Sequence, residues 1–308
     1  METLESAFDA TRALVFGGGG GGDVVGAVPT ARFLERHGVD VLLGGVPWER
    51  FVVDPTVGPR SFDELTSVDR INDAVAVADG ETRTHDGVEF AETRVARHYD
   101  EDVALVNVSG GAAGLAAGLD DACRRLDVDL VVGTDSGGDV LAAGDEDGLR
   151  SPLIDAVVLA ALTRLDVDAC LGVFGHGSDG ELTPAEVDDG IARAARRDGF
   201  LGAWGLTPSV VAELDDLLAD VTTEASRLPV EAARGALGET EIRDGDRTVS
   251  LSPSSAVTFY LDPSAVAATS GLASHVRGTE SLDAAHEALG RAGYETELDY
   301  ERRRLRES

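Results

Sequence analysis

The sequence predicts an α/β protein with a Rossmann-like three-layer fold, a mainly parallel sheet, an inserted segment and a helix-rich C-terminal part. Three observations carry that expectation. A short apolar run, Ala13 to Gly17, leads directly into a glycine tract that ends at Gly22, and a helical pattern follows from Asp23 to about His37. Short apolar runs then alternate with amphipathic stretches of helical length, the pattern of strands joined by right-handed crossovers and covered on both faces. The rhythm breaks twice, from about 47 to 97 and again after Thr207.

The elements follow in order. Val39 to Gly44 is the second strand, and further strands are expected at Val103 to Val108, Leu130 to Gly133 and Ala169 to Gly175. Helical spacing recurs at about Ala112 to Leu126 and Pro152 to Leu165. The stretch from Pro47 to about Arg97 is polar and rich in turn residues, and reads as an insertion carrying short strands or a lid. Residues 1–206 are thus expected to form the core, with 207–308 as a helix-rich extension packed on it. Within that extension, alternation around Asp244-Gly245 marks a hairpin over Glu239 to Ser252. Ala256 to Leu261 reads as one more strand, and Ser281 to Ala292 as a closing helix.

Composition excludes several classes of function. The formal charge of the 308-residue chain is -31, from 57 acidic and 26 basic residues, and every strong base is arginine. Such a surface stays hydrated in concentrated salt, whose cations screen its self-repulsion, so a salt-adapted origin is expected. No basic stripe is present to displace phosphate counterions, which argues against nucleic acid and anionic membranes as partners. Without lysine there is no Schiff-base chemistry and no Walker-type phosphate loop. Cys123 and Cys170 lack CxxC spacing and read as small buried hydrophobes. No run approaches the roughly 20 apolar residues of a membrane span. The amino terminus, METLESAFDATR, is acidic where a signal peptide would be basic, so a cytoplasmic location is expected.

Four glycine-rich turns are expected on one edge of the sheet. The first, Gly18, Gly19, Gly20, Gly21 and Gly22 followed by Asp23, joins a strand to a helix N-terminus, where backbone N–H groups suit a phosphate or carboxylate. It contains G-x-G-x-x-G only trivially, and Leu43-Gly44-Gly45 stands where an acidic ribose ligand belongs. Asp23 reads either as a helix cap or as a ligand for a metal or substrate hydroxyl. The second turn, Ser109-Gly110-Gly111, is suited to close packing or to the same cleft.

The third turn starts at the carboxyl end of a strand and runs Asp135-Ser136-Gly137-Gly138-Asp139, continuing through Asp145 and Asp147 to Arg150 and Ser151. A loop of that length inside a compact domain is usually functional or disordered. The fourth, Gly175 to Glu181, holds His176, a candidate general base, with Asp179 or Glu181 to orient it or bind a cation. Thr183-Pro184 and Glu186 form the signature of a capped helix start. Trp48, Glu49, Arg50 and Arg60 are placed to close over the cleft. The catalytic candidates are Asp135, Asp139 and His176, with Asp135 and Asp139 as metal ligands suited to a hard cation such as magnesium.

The segments GGGGGGDVVGAVPTARFLERHG, GTDSGGDVLAAGDEDGLRSPLIDAVVLAAL and GVFGHGSDGEL resemble a mainly archaeal family called domain of unknown function 1152 (DUF1152). So do GGVPWERFVVDPTVGPRSFDEL and ETRTHDGVEFAETRVA. The resemblance implies an archaeal origin and one family domain over most of the chain, but transfers no reaction. Two functions are carried forward. One is an enzyme performing hydrolysis or group transfer on a small anionic metabolite bearing phosphate or carboxylate. The other is a non-catalytic protein that binds a nucleotide or metabolite. Neither a G-x-S-x-G elbow nor an H-E-x-x-H zinc motif is present.

Overall fold

A computed structural model describes Met1 to Glu307. The chain opens with β1 (Arg12–Gly17), α1 (Val24–Glu35) and β2 (Asp40–Gly45), then forms β3 (Leu65–Arg70), β4 (Val75–Thr84), α2 (Ala91–Tyr99) and β5 (Val103–Val106). It continues with α3 (Gly111–Leu126), β6 (Leu130–Ser136), α4 (Pro152–Leu162), β7 (Asp168–Phe174), α5 (Pro184–Ala195) and β8 (Phe200–Gly205). After α6 (Pro208–Asp220) and α7 (Glu224–Ala233) come β9 (Gly238–Ile242), β10 (Arg247–Leu251) and β11 (Val257–Leu261). Four helices close the chain: α8 (Pro263–Ala267), α9 (Gly271–Val276), α10 (Leu282–Ala292) and α11 (Glu297–Glu307).

Nine strands make one sheet in the order β3-β4-β5-β2-β1-β6-β7-β11-β8. The centre, β5-β2-β1-β6-β7, is parallel throughout. Both flanks are antiparallel, through the pairs β3–β4 and β4–β5 on one side and β7–β11 and β11–β8 on the other. The sheet is therefore mixed: its strands are mostly parallel, as expected, and the antiparallel pairs lie at the flanks. The physical reason is connection length: β3 and β4 are joined by a short turn in which Asn72 Oδ1 accepts the amides of Ala74 and Val75, and only antiparallel neighbours can be joined so briefly.

The strand cores are apolar on both faces because both are covered. Leu14 and Phe16 of β1 join α3, α4, α9 and α10 in one buried cluster, while Ala13 and Val15 join Ala27, Phe33 and Leu34 of α1 in another. Truncating a side chain such as Leu14 to Ala would cost roughly 2–5 kcal/mol. The polar stretch after β2 supplies β3 and β4, which extend the sheet, instead of a free lid. The hairpin β9–β10 lies where its turn signal places it, as a separate two-stranded sheet. β11 lies within the main sheet, between β7 and β8. β8, a short run interrupted by Gly202 and Gly205, is a strand that sequence periodicity did not mark. Cys123 and Cys170 are buried and unbridged, and burial pushes each thiol up to about 12. Among the described residues, no helix is long and apolar enough to cross a membrane.

Candidate metal centre

The carboxyl ends of β1, β6 and β7 are adjacent in the sheet, so the three turns that follow them share one rim. After β1 the chain doubles back tightly. A Cβ on Gly20, whose φ is +72, would stand 2.7 Å from the carbonyl oxygen of Trp48, so only glycine fits there. The Gly18 amide donates to Thr134 O at 2.7 Å, and the Gly21 amide to Trp48 O at 2.8 Å. The segment after β2 thus lies directly over the glycine turn. Asp23 does not cap α1 through its side chain; its Oδ2 instead accepts the Gly19 amide at 3.0 Å. Three amides of the glycine turn are therefore used inside the protein. Burial, reinforced by the charge of Asp139, pushes the Asp23 carboxyl up to about 7.

Beside this turn the structure gathers five more acids. Asp135 is the penultimate residue of β6, Asp139 follows the Gly137-Gly138 turn, Asp155 sits in the first turn of α4, and Asp179 and Glu181 follow β7. Each is at most 7 % exposed. Asp135, Asp139 and Asp155 each bring one oxygen within 4.8 Å of the others, and Asp139, Asp179 and Glu181 do the same. A Cβ on Gly137, at φ +136, would collide with the Asp179 carboxylate, so glycine is what lets the two loops meet. Desolvation, then the Asp139 charge, holds the carboxyls of Asp135, Asp155 and Asp179 well above the usual carboxylate range. Glu181 is raised by the same two causes, opposed by Arg247, whose Nη1 lies 3.5 Å from its Oε1.

Local structure holds these side chains in place. The amides of Arg150 and Ser151 donate to Glu181 Oε2 at 2.6 and 2.9 Å. Ser151 Oγ donates to Asp139 Oδ2 at 3.0 Å. Glu297, at the start of α11, accepts the amides of Leu153 and Ile154 at 3.0 and 2.9 Å and so caps α4, and burial pushes its carboxyl up to about 8. Packed like charges of this kind are costly unless protons or a cation neutralise them. Clustered carboxylate oxygens suit a hard divalent cation, and donors on opposite sides of such an ion stand about 4–5 Å apart.

The other sequence candidates fall in different places. Ser136 is buried at the end of β6, beside α1, where a Cβ on Gly26 would strike its Oγ. Arg150 contributes its amide, while its exposed guanidinium donates to the carbonyls of Asp147 and Leu149. His176 is 3 % exposed at φ +40; its Nε2 meets Asp188 Oδ1 on α5 at 2.8 Å, so Asp188, not Asp179 or Glu181, orients it. Gly111 packs on the segment before α10, where a Cβ on it would stand 2.7 Å from Thr279 O, while Ser109 is exposed and its amide donates to Asn107 Oδ1 at 2.9 Å. Arg60 is buried against Asp54, Glu64 and Asp86.

Sequence reasoning missed Asp155 and Glu297. The signal for Asp155 was present: it is the only acid in α4, a helix whose every residue is buried. A second acid pair, Glu49 and Glu92, lies at the end of β2. Glu49 Oε1 accepts the Ala91 amide at 2.7 Å, Glu92 Oε1 has no hydrogen-bond partner among the described residues, and burial with the Glu49 charge pushes Glu92 up to about 8. Two surface depressions, one lined by Ala160, Ser264 and Arg277 and one by Arg94, Arg97 and Asp220, contain none of these acids.

Fold and site together define an α/β protein with a buried carboxylate centre at the carboxyl edge of its parallel strands. Residues 14–305 match the family described as "Protein of unknown function (DUF1152)", and the chain belongs to it. Neither a curated protein nor a solved structure matches the chain.

Proposed function

We propose that this protein is a divalent-cation-dependent enzyme that performs hydrolysis or group transfer on a small anionic metabolite, phosphate- or carboxylate-bearing. The observation that carries the reading is the buried group Asp135, Asp139 and Asp155, which has no basic side chain among its members. A magnesium ion there would polarise an anionic oxygen or activate a water. The order β5-β2-β1-β6-β7, with the chain reversing direction across the sheet between β1 and β6, supports a Rossmann-like reading, in which ligands sit at that switch point. His176 is the candidate base: with Nε2–H donated to Asp188, its buried Nδ1 keeps a lone pair and has no partner among the described residues. The Gly18–Gly22 turn borders the centre, since Gly19 faces Asp23 and Asp155. The lysine-free acidic composition supports work in a salt-rich archaeal cytoplasm.

Burial favours a second reading. Each acid of the centre is at most 7 % exposed, and Trp48 after β2 and Thr223 before α7 pack on Gly20 and Gly22 of the neighbouring glycine turn, so turnover requires movement around the centre. A non-catalytic protein that holds a nucleotide or metabolite need not open the site once per turnover. One experiment separates the two: the full chain, in molar potassium chloride with magnesium, is offered a panel of phosphorylated and carboxylated metabolites. An enzyme gives turnover that Asp135→Asn and His176→Ala abolish while ligand affinity persists. Ligand-induced thermal stabilisation without any turnover leaves the binding protein.

A further inference from the structure

Asp139 belongs to both acidic groups. One of its oxygens lies within 4.8 Å of donors from Asp135 and Asp155, and one lies within the same distance of donors from Asp179 and Glu181. A carboxylate in that position is the natural bridge between two metal ions. The inventory of donors points the same way. Glu181 has Arg247 and two amides, Glu297 has the amides that open α4, and Asp23 has the amide of Gly19. Among the described residues Asp135 accepts the Val140 amide at 3.4 Å and Asp139 the Ser151 hydroxyl, and their remaining polar contacts are with each other and with Asp155, acid on acid. Asp179 Oδ1 is buried with no hydrogen-bond partner among the described residues, although its residue is 7 % exposed and belongs to the second group. An orphaned carboxylate oxygen inside a buried acidic cluster is a group that a bound cation satisfies directly, while also offsetting the repulsion among its neighbours.

We infer that the centre holds two divalent cations bridged by Asp139, one ligated by Asp135 and Asp155 and the other by Asp179 and Glu181. The inference rests on the proposed cation dependence and extends it to a second ion. Two ions carry four positive charges, which matches the four carboxylates, Asp135, Asp139, Asp155 and Asp179, that have little other compensation. Paired ions about 3.5–4 Å apart form a clamp for both the attacking and the leaving oxygen of an in-line displacement. A phosphate-bearing substrate is thereby favoured over one bearing only a carboxylate.

Manganese is the probe, because two Mn²⁺ ions sharing a carboxylate couple magnetically and isolated ions do not. The full chain is dialysed against Mn²⁺ in molar potassium chloride, which screens the acidic surface, and bound metal is counted while electron paramagnetic resonance spectra are recorded. The expected result is two tightly held ions per chain with an exchange-coupled spectrum. Asp179→Asn should leave one ion with an uncoupled spectrum, and Asp147→Asn, on an exposed loop position, should leave both. One ion per chain in the parent protein overturns the bridged pair while leaving the single-cation reading intact. Two ions without coupling also overturn it, and no tightly held ion removes both readings. Parent stoichiometry and spectrum decide the question even if Asp179→Asn fails to fold.

Discussion

Ser151 Oγ donates a hydrogen bond to Asp139 Oδ2 at 3.0 Å, so the end of the long loop between β6 and α4 holds its beginning. Asp139 is the residue common to both acidic groups, and among the described residues this hydroxyl is its non-acidic hydrogen-bond donor. Ser151→Ala should therefore weaken Mn²⁺ affinity by about tenfold, the scale of one hydrogen bond to a charged group. Equilibrium titration would check this, and unchanged affinity would remove Ser151 from the site.

Asp155 has opposite expected effects with and without a cation. In the metal-free protein burial and the Asp139 charge raise its carboxyl well above the ordinary range, so near neutral pH Asp155→Asn removes the cost of keeping or ionising that acid and should raise the melting temperature. With magnesium at about 100 times its dissociation constant, the parent chain should gain about 2.7 kcal/mol, or roughly 5 °C at this size, and the variant should not. Paired melting curves with and without magnesium read both effects. A variant destabilised in both conditions would make Asp155 a structural residue only.

Gly137→Ala combines two penalties. The residue sits at φ +136, and a Cβ there would collide with the Asp179 carboxylate. Backbone strain alone costs on the order of 1–3 kcal/mol, and the collision must also push Asp179 away from Asp139. A drop of several degrees in melting temperature is expected, together with loss of the second Mn²⁺ ion. Normal stability and metal content in this variant would mean that the β6 and β7 loops are separated in solution.

Glu92 supplies a pH test outside the metal-binding residues. Its carboxyl is held at about 8 in the folded protein by burial and by Glu49, against 4.5 for an ordinary glutamate. Between those values the folded state keeps a proton that the unfolded state has lost, so stability falls as pH rises through this window and the penalty is complete above about 8. Glu92→Gln removes the penalty. Its advantage over the parent should be small near pH 5, and above pH 8 it should grow to a few kcal/mol, an order-of-magnitude value. Denaturant titrations across pH 5 to 9 measure it; an advantage independent of pH would show that Glu92 titrates normally.

Much of this architecture was legible in the chain. Apolar runs at Ala13 to Gly17, Leu130 to Gly133 and Ala169 to Gly175 mark the central strands because strands buried on both faces must be continuously apolar. The capping box at Thr183 and Glu186 forms as its spacing requires, with Thr183 Oγ1 accepting the Glu186 amide at 3.3 Å. β8 escaped because its glycines and its half-exposed edge blur the period. Asp155 escaped because an acid within an apolar helix gives no local sign of its neighbours. His176 was expected to face Asp179 or Glu181, and pairs instead with Asp188 one turn into α5, a contact that depends on how that helix packs.

The sequence by itself determined the alternation of strands and helices, the acidic surface, the absence of lysine chemistry and the glycine turns at the strand ends. Each depends on local periodicity or on residue type. Only the tertiary structure decided that the flanks of the sheet run antiparallel, and that Asp139 stands between acids from β6, α4 and the loop after β7. Residues 135, 155 and 181 are brought together by packing, and attraction or repulsion between charges depends on distance through space and on exclusion of water, neither of which is written along the chain.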